Sequence, residues 1–440
     1  MAILIFVSVI IFDAEPQIPL IFGCLIAGLV AFSIGYSWEE MLGGMIQGIS
    51  QSLEAILILL LIGVLIGIWV ASGTVPAMIY YGLQLLSAKY FLFAAAFICA
   101  IIACVIGAWG TVGTVGLAFM GIGLALEIPA PIVAGSIVTG SYFGEIVSPL
   151  SDATNLTAGV VGCDVFSLMK KILPVALTAL SISEILYLAI GLHYHGDQAE
   201  ISNNIGPLLA CLRENFSVSF PALLPMIVMA ACIFLKLPAI PSVLGGIISG
   251  FLIALSVQGT QLGRLLSVAF SGYVSQTGHE LADTLLSTGG LESMMYTISI
   301  IIVAMAFGGL MRATHQMEAF VTPVVKHIHK VSGLTTLTVV SCIGMNILLP
   351  DQYLGISVPG QMYAQECDKR GISRAHLGRI LLCGGAVTSP AVPWNTCGIY
   401  CMSILGVSAT KYLPYAYICF ILPILLVALT FFQNSRQKRA

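Results

Sequence analysis

The chain has 440 residues, of which 58% are hydrophobic and only 8% charged, with a formal net charge of −3. Soluble domains carry about a quarter charged residues, so this composition excludes a soluble globular protein and leaves an all-α polytopic membrane protein. The small net charge says little about partners, and no nucleotide or nucleic-acid motif is present. The start, "MAILIFVSVIIFDAEP", has neither the basic region nor the cleavage site of a signal peptide. Its apolar part is short and reads as a partial first span. "EAILILLLIGVLIGIWVASG" is long enough to cross a bilayer, which takes roughly 20 apolar residues. Residues 92–124 read as a hairpin turning near Trp109 and Gly110; their "GTVGTVG" has no following lysine and is no phosphate loop. Next comes "GEIVSPLSDATN", residues 144–155, polar inside an apolar run, and then a span holding Glu184. The polar stretches 193–218 and 258–292 read as loops. Beyond the loop with Lys326 and Lys330, residues 334–364 must enter and return, turning near Pro350 and Asp351. A basic loop with Lys369, Arg370, Arg374 and Arg379 precedes "GAVTSPAVPWNT", residues 385–396. The last span, about 413–432, ends in the basic tail "NSRQKRA". The 12 cysteines are scattered through apolar runs without metal-like spacing and read as small packing residues.

A shift of 241 residues lays Gly144, Ser148 and Pro149 on Gly385, Ser389 and Pro390, and "GTVGTVGLAF" on "DQYLGISVPG". This implies a duplication of span, breaker and small-polar cluster. Charges orient the halves oppositely. The basic loop before 377–407 has no basic counterpart in "LEIPAP", whereas Lys170 and Lys171 match only Lys411. The expectation is two inverted-topology repeats, each of about five spans plus a re-entrant helical hairpin. The repeats take residues 1–192 and 219–432, joined by 193–218 and followed by the cytoplasmic tail 433–440.

Non-helical backbone survives at membrane depth only where it lines a cavity or is buried in protein. Pro149 marks one such break; Pro390 and Pro393 mark the other. Hydroxyl, amide and carbonyl oxygens suit a hard cation such as sodium, and a carboxylate takes either the cation or a proton. Asp152 is the leading carboxylate, with Ser148, Ser151, Thr154 and Asn155 as oxygen donors; Asp152, Ser148 and Asn155 form the candidate sodium set. A carboxylate at the bilayer centre costs about 3 kcal/mol, so a deep Asp152 needs a use; the alternative is a loop residue at the interface. Ser151 and Thr154 equally suit packing or capping. Glu145 faces the same cavity or anchors at the surface. Glu184 is a proton relay or an interhelical hydrogen bond. Asp351, beside Gln352 and Tyr353, is a second ligand or gate. Ser389, Asn395 and Thr396 complete the second break. Only the first break holds acids, so the first half holds the ion and the second completes the cavity. Trp109 and Trp394 equally suit packing. His193, His195, His279, His315, His327, His329 and His376 read as solvated.

"GTVGTVGLAFMGIG", "GSYFGEIVSPLSDATNL" and "SPAVPWNTCGIY" resemble the signature segments of NhaC-type sodium/proton antiporters, as do "GYSWEEM", "SGTVPAMIYYG" and "DQYLGISVPG". The resemblance covers nearly the whole chain. It implies the ion-transporter superfamily, with inverted repeats and paired re-entrant hairpins, and exchange of sodium for protons. It also brings in Thr111, at the first hairpin. Two departures stand out. Gly144-Glu145-Ile146 replaces the family's Gly-Asp-Lys, and the first hairpin lacks two hydroxyls in Ile106-Gly107-Ala108-Trp109-Gly110-Thr111. The reading is therefore a secondary antiporter of the plasma membrane exchanging sodium for protons by alternating access. It is not an enzyme, needs no cofactor, has its C-terminus inside, and keeps company with lipid and with a second copy in a homodimer. The alternative is an ion-coupled exchanger or symporter of a small organic acid or amino acid, disfavoured because no basic residue stands ready to pair with an anion.

Overall fold

The computed structural model describes residues 15–193, 198–235, 237–316, 331–349 and 351–437. The N-terminal stub, His195, Lys326, His327, His329, Lys330, Pro350 and Lys438 onward lie outside the described residues. Among the described residues no strand forms, and a single bridge links Tyr273 to Thr288. Seven helices are long and apolar enough to cross a membrane, or nine if each of two bent pairs is one span. The protein is thus an integral multi-pass membrane protein.

In chain order the first half has α1 (Gln17–Ile34), α2 (Trp38–Gln51), α3 (Leu53–Ala71), α4 (Thr74–Leu85) and α5 (Ala88–Thr111). It continues with α6 (Leu117–Ala125), α7 (Ala130–Val147), α8 (Asp152–Val161) and α9 (Val165–His193). Then follow α10 (Gln198–Asn215), α11 (Leu224–Phe234), α12 (Ala239–Ser256), α13 (Leu262–Ser271), α14 (Glu280–Leu286) and α15 (Met295–Ala313). The last part has α16 (Val331–Leu348), α17 (Gln352–Lys369), α18 (Arg374–Leu381), α19 (Thr396–Leu405), α20 (Ala409–Tyr412) and α21 (Ile418–Gln437). The stretches 193–218 and 258–292 are therefore not plain loops. Helix α10 buries Leu208, Cys211 and Leu212, an i, i+3, i+4 stripe that polar neighbours masked.

Two hairpins organise the site. Gly107 breaks α5 with φ 74°, ψ 174°, a conformation open to glycine, two residues before the expected turn. A straight helix would separate Phe91 and Phe119 by about 42 Å, yet their ring centroids are 6.0 Å apart. The chain has folded back, through a π-helical turn at Val112–Gly116. Helices α16 and α17 form the second hairpin: Ser341 and Tyr363 hydroxyls lie 2.7 Å apart. Asp351 caps its tip, accepting from the Leu354 N–H at 3.0 Å.

Each hairpin packs on a helix that then breaks. A Cβ at Gly140 or Gly144 of α7 would run into the carbonyl oxygen of Ala96 or Ala100, so α7 runs alongside the first limb in the same direction. It runs against the returning limb, where Gly123 meets Val133 and Gly116 meets Ile137. In the second half Gly384 meets Val339 of the first limb, while Gly360 and Gly385 meet Leu381 and Ile356 across the second. Small residues let these helices approach without a water-driven hydrophobic effect between them. A separate group, α1 to α3 with α11 to α13 and α15, closes through similar contacts: Gly48 meets Met305 and Gly309, and the Trp69 indole donates to the Gly246 carbonyl at 3.1 Å.

Candidate functional site: a cleft between two broken helices

The first break runs from Ser148 to Ser151, both in extended conformation. Breaking a helix frees carbonyls that lipid cannot satisfy, and the expected oxygen donors serve this need. Thr154 donates to the Glu145 carbonyl at 3.0 Å. Asn155 donates to the carbonyls of Pro149 and Ser151 at 2.9 and 2.8 Å. Ser148 donates to the Cys104 carbonyl and accepts from the Leu150 N–H. The Ser151 hydroxyl is buried with no hydrogen-bond partner.

The second break, near Ser389–Asn395, is satisfied in the same manner. Ser389 donates to the Ala386 carbonyl at 2.7 Å. Asn395 accepts from the Cys397 N–H at 3.1 Å and donates to the Asn346 carbonyl at 3.3 Å. Trp394 donates to the Ile347 carbonyl at 2.8 Å, and Thr396 is buried at the start of α19. Asn346, which sequence reasoning missed, spans hairpin and break by donating to the Gly385 carbonyl at 2.7 Å. Its signal was an amide inside an apolar run five residues before Asp351.

Between the breaks lies Glu145, 6% exposed. Its carboxylate accepts from the Gln352 amide at 3.2 Å, and Gln352 in turn accepts from the Cys397 thiol at 3.0 Å. Cys397 is thus more than packing. Trp109 stacks on Tyr400 with centroids 4.3 Å apart, and the Tyr400 hydroxyl donates to the Trp109 carbonyl at 2.6 Å. Thr111 stays in the first hairpin, donating to the Gly107 carbonyl at 2.8 Å.

Asp152 is exposed, on an open cleft of about 400 Å³. The cleft draws Asp152 from α8, Asp351 and Tyr353 from the tip of α17, Met305 and Arg312 from α15, and Gln51 from α2. The fold therefore brings together two carboxylates far apart in the chain. Ser148, Ser151, Thr154, Asn155, Ser389, Asn395 and Thr396 lie at or next to the two breaks and are not among the residues that line the cleft. Arg312 corrects the expectation that no basic residue was at hand for an anion.

Other expectations shift. Both carboxylate oxygens of Glu184 are buried without a hydrogen-bond partner, so the interhelical hydrogen bond is not formed. His376 is half-buried in α18, with its Nδ1 3.0 Å from Arg379, because the basic loop ends in a helix packed on the core. His315 is exposed at φ 52°. His279 caps α14, and His193 ends α9. Among the described residues no group of three or more His, Cys, Asp or Glu could hold a metal ion.

Comparison with known proteins supplies the family. The model of the Na+/H+ antiporter family matches residues 1–192 and 140–433. The Na(+)/H(+) antiporter NhaC of Alkalihalophilus pseudofirmus is 33% identical over 97% of this chain and 92% of its own length. An arginine/ornithine antiporter, ArcD, of Halobacterium salinarum is 33% identical over 97% of this chain and 88% of its own. A malate-2H(+)/Na(+)-lactate antiporter of Bacillus subtilis is 33% identical over 93% and 87%. Matched by the family model nearly from end to end, and by relatives a third identical along almost all of its length, the chain belongs to the Na+/H+ antiporter family.

Proposed function

We propose that this chain exchanges sodium for protons across the plasma membrane by alternating access, with Asp152 as the carboxylate that both ions share. The observation that carries the reading is the meeting of Asp152 and Asp351 in one cleft beside a broken helix. A site that holds either the cation or the proton, but not both, is sufficient chemistry for exchange. Sodium is the cargo, and Asp152 with oxygens of the broken backbone around Ser148 and Asn155 would hold it.

An inverted pair of repeats, 1–192 and 219–432 with 193–218 between them, accounts for the packing directions. Helix α8 runs with α17: Asp152 and Tyr353 line one cleft, and Val160 meets Gly360. Helix α19 runs with the returning limb of the first hairpin, since Tyr400 meets Gly113 and Leu405 meets Gly116. Each half thus lends its post-break helix to the other's hairpin. Because α17 opposes α18, the broken pairs α7–α8 and α18–α19 point in opposite directions, which supports inversion. The basic residues around 369–379 and the basic tail 433–440 support an inside C-terminus.

One observation favours a second reading, coupled transport of a small organic acid or amino acid: Arg312 in the same cleft gives a carboxylate a partner. A single assay separates the two. Reconstituted vesicles with an acidic lumen and an internal pH dye are pulsed with sodium, then with sodium plus candidate organic acids. Lumen alkalinisation by sodium alone, lost in Asp152→Asn, supports sodium/proton exchange. A response that requires the organic acid supports the second reading, and normal exchange by Asp152→Asn removes that residue from the mechanism.

A further inference from the structure

Arg312 lies in the last turn of α15, where a basic side chain ordinarily stretches outward to the headgroups. Here it reaches the other way. Gly44 meets Ala313 and Gly48 meets Gly309, so α2 runs against α15. Gln51, at the far end of α2, therefore lies about 10 Å further toward mid-span than the Arg312 backbone. The guanidinium donates to the Gln51 amide oxygen at 2.9 Å, pointing back along its helix as helical side chains do. That contact holds it in the cleft with Asp152 and Asp351. Among the described residues it joins no ion pair within 4.0 Å. It is a permanent positive charge facing two carboxylates and bonded to neither.

We propose that Arg312 is the resident counter-cation of the cleft: Gln51 holds it off Asp152 and Asp351, where it offsets one of their negative charges and sets how strongly the cleft takes sodium. The proposal rests on the sodium/proton reading and goes beyond it by assigning the charge balance. With both carboxylates ionised and Arg312 in place, the cleft carries one net negative charge, which one sodium ion or one proton cancels. Without Arg312 it carries two and binds a cation more tightly. If Gln51 lets go, the guanidinium closes on the carboxylates and competes with sodium.

The test is the sodium KM of the full chain in vesicles, read by the internal pH dye. Arg312→Gln is expected to lower the KM on the order of tenfold and to lower turnover, because sodium leaves more slowly. Gln51→Leu is expected to raise the KM by a similar factor. Arg312→Lys, which keeps the charge, moves the KM back toward the wild-type value. Shifts of Arg312→Gln and Gln51→Leu in the same direction, or no shift in either, overturn the proposal, since a loosened fold has no reason to move them oppositely. Loss in Arg312→Gln of a sodium movement that depends on an organic acid also overturns it and makes the guanidinium an anion anchor. A wild-type chain that ignores sodium altogether fails the underlying sodium/proton reading instead.

Discussion

Glu145 and Asp152 stand on either side of one helix break and meet different surroundings. Glu145 is enclosed, with Gln352 as the one donor to its carboxylate among the described residues. Asp152 opens on the cleft. Spacing alone would not separate them, because a break interrupts the helical period that relates side chains to faces. Asp283, in the first turn of α14 and outside the membrane-spanning helices, shows how a polar residue ties a loop to a helix. It accepts from the Thr277 N–H at 2.7 Å and from the Ser275 and Thr277 hydroxyls at 2.8 Å each. These bonds, the Thr277 N–H foremost, hold its carboxyl down to about 2. A folded value below the unfolded one, about 4, means that the stabilisation is complete above about pH 4 and is lost as pH falls toward 2. Hydrogen exchange of the 275–283 amides should therefore stay slow to about pH 4 and quicken below it. Asp283→Asn should be fast at both ends of that window; unchanged exchange in the variant would show that the loop is held by something else.

The elements are governed by where backbone order stops. Prolines marked both breaks in the sequence, and both are observed beside Pro149 and Pro390. The first turn was harder to place. Trp109 and Gly110 looked like the tip because of their composition, but Gly107 carries the left-handed φ, and nothing lies within 4 Å of a Cβ added there. The cost of a side chain at Gly107 is thus purely conformational. Gly107→Ala should lower stability by about 1–3 kcal/mol. Gly28→Ala in α1, where a Cβ also meets nothing within 4 Å, should be neutral or stabilising by up to about 1 kcal/mol. Thermal unfolding of the purified variants in detergent checks both; equal shifts would mean that Gly107 bears no strain. Helix α10 was hidden for the opposite reason. Its charged and amide residues lowered the mean hydropathy below that of a span, while its buried stripe kept it on the body of the protein.

For the whole molecule, the proposed opposed orientation of the two halves has the widest consequence. It predicts that "LEIPAP" and the loop before α18 lie on opposite sides of the membrane. Pro129 and Ser373 are both exposed, whereas the native cysteines are buried or half-buried and leave a low background. An impermeant maleimide added to intact cells should label Pro129→Cys at once and Ser373→Cys only after permeabilisation. Labelling of both from one side would sink the inverted arrangement. The amino-acid sequence by itself determined the membrane class, the breaks and the acidic residues, because apolar run length, proline and charge are local properties whose costs in lipid are large. It also carried the family, through segments spread along the chain. Only the tertiary structure decided which groups meet. The pairing of Asp152 with Asp351, the Glu145–Gln352–Cys397 chain, and the inward reach of Arg312 to Gln51 all join residues from different halves. Their meeting depends on the directions and close approach of packed helices, which glycine contacts set and no local pattern encodes.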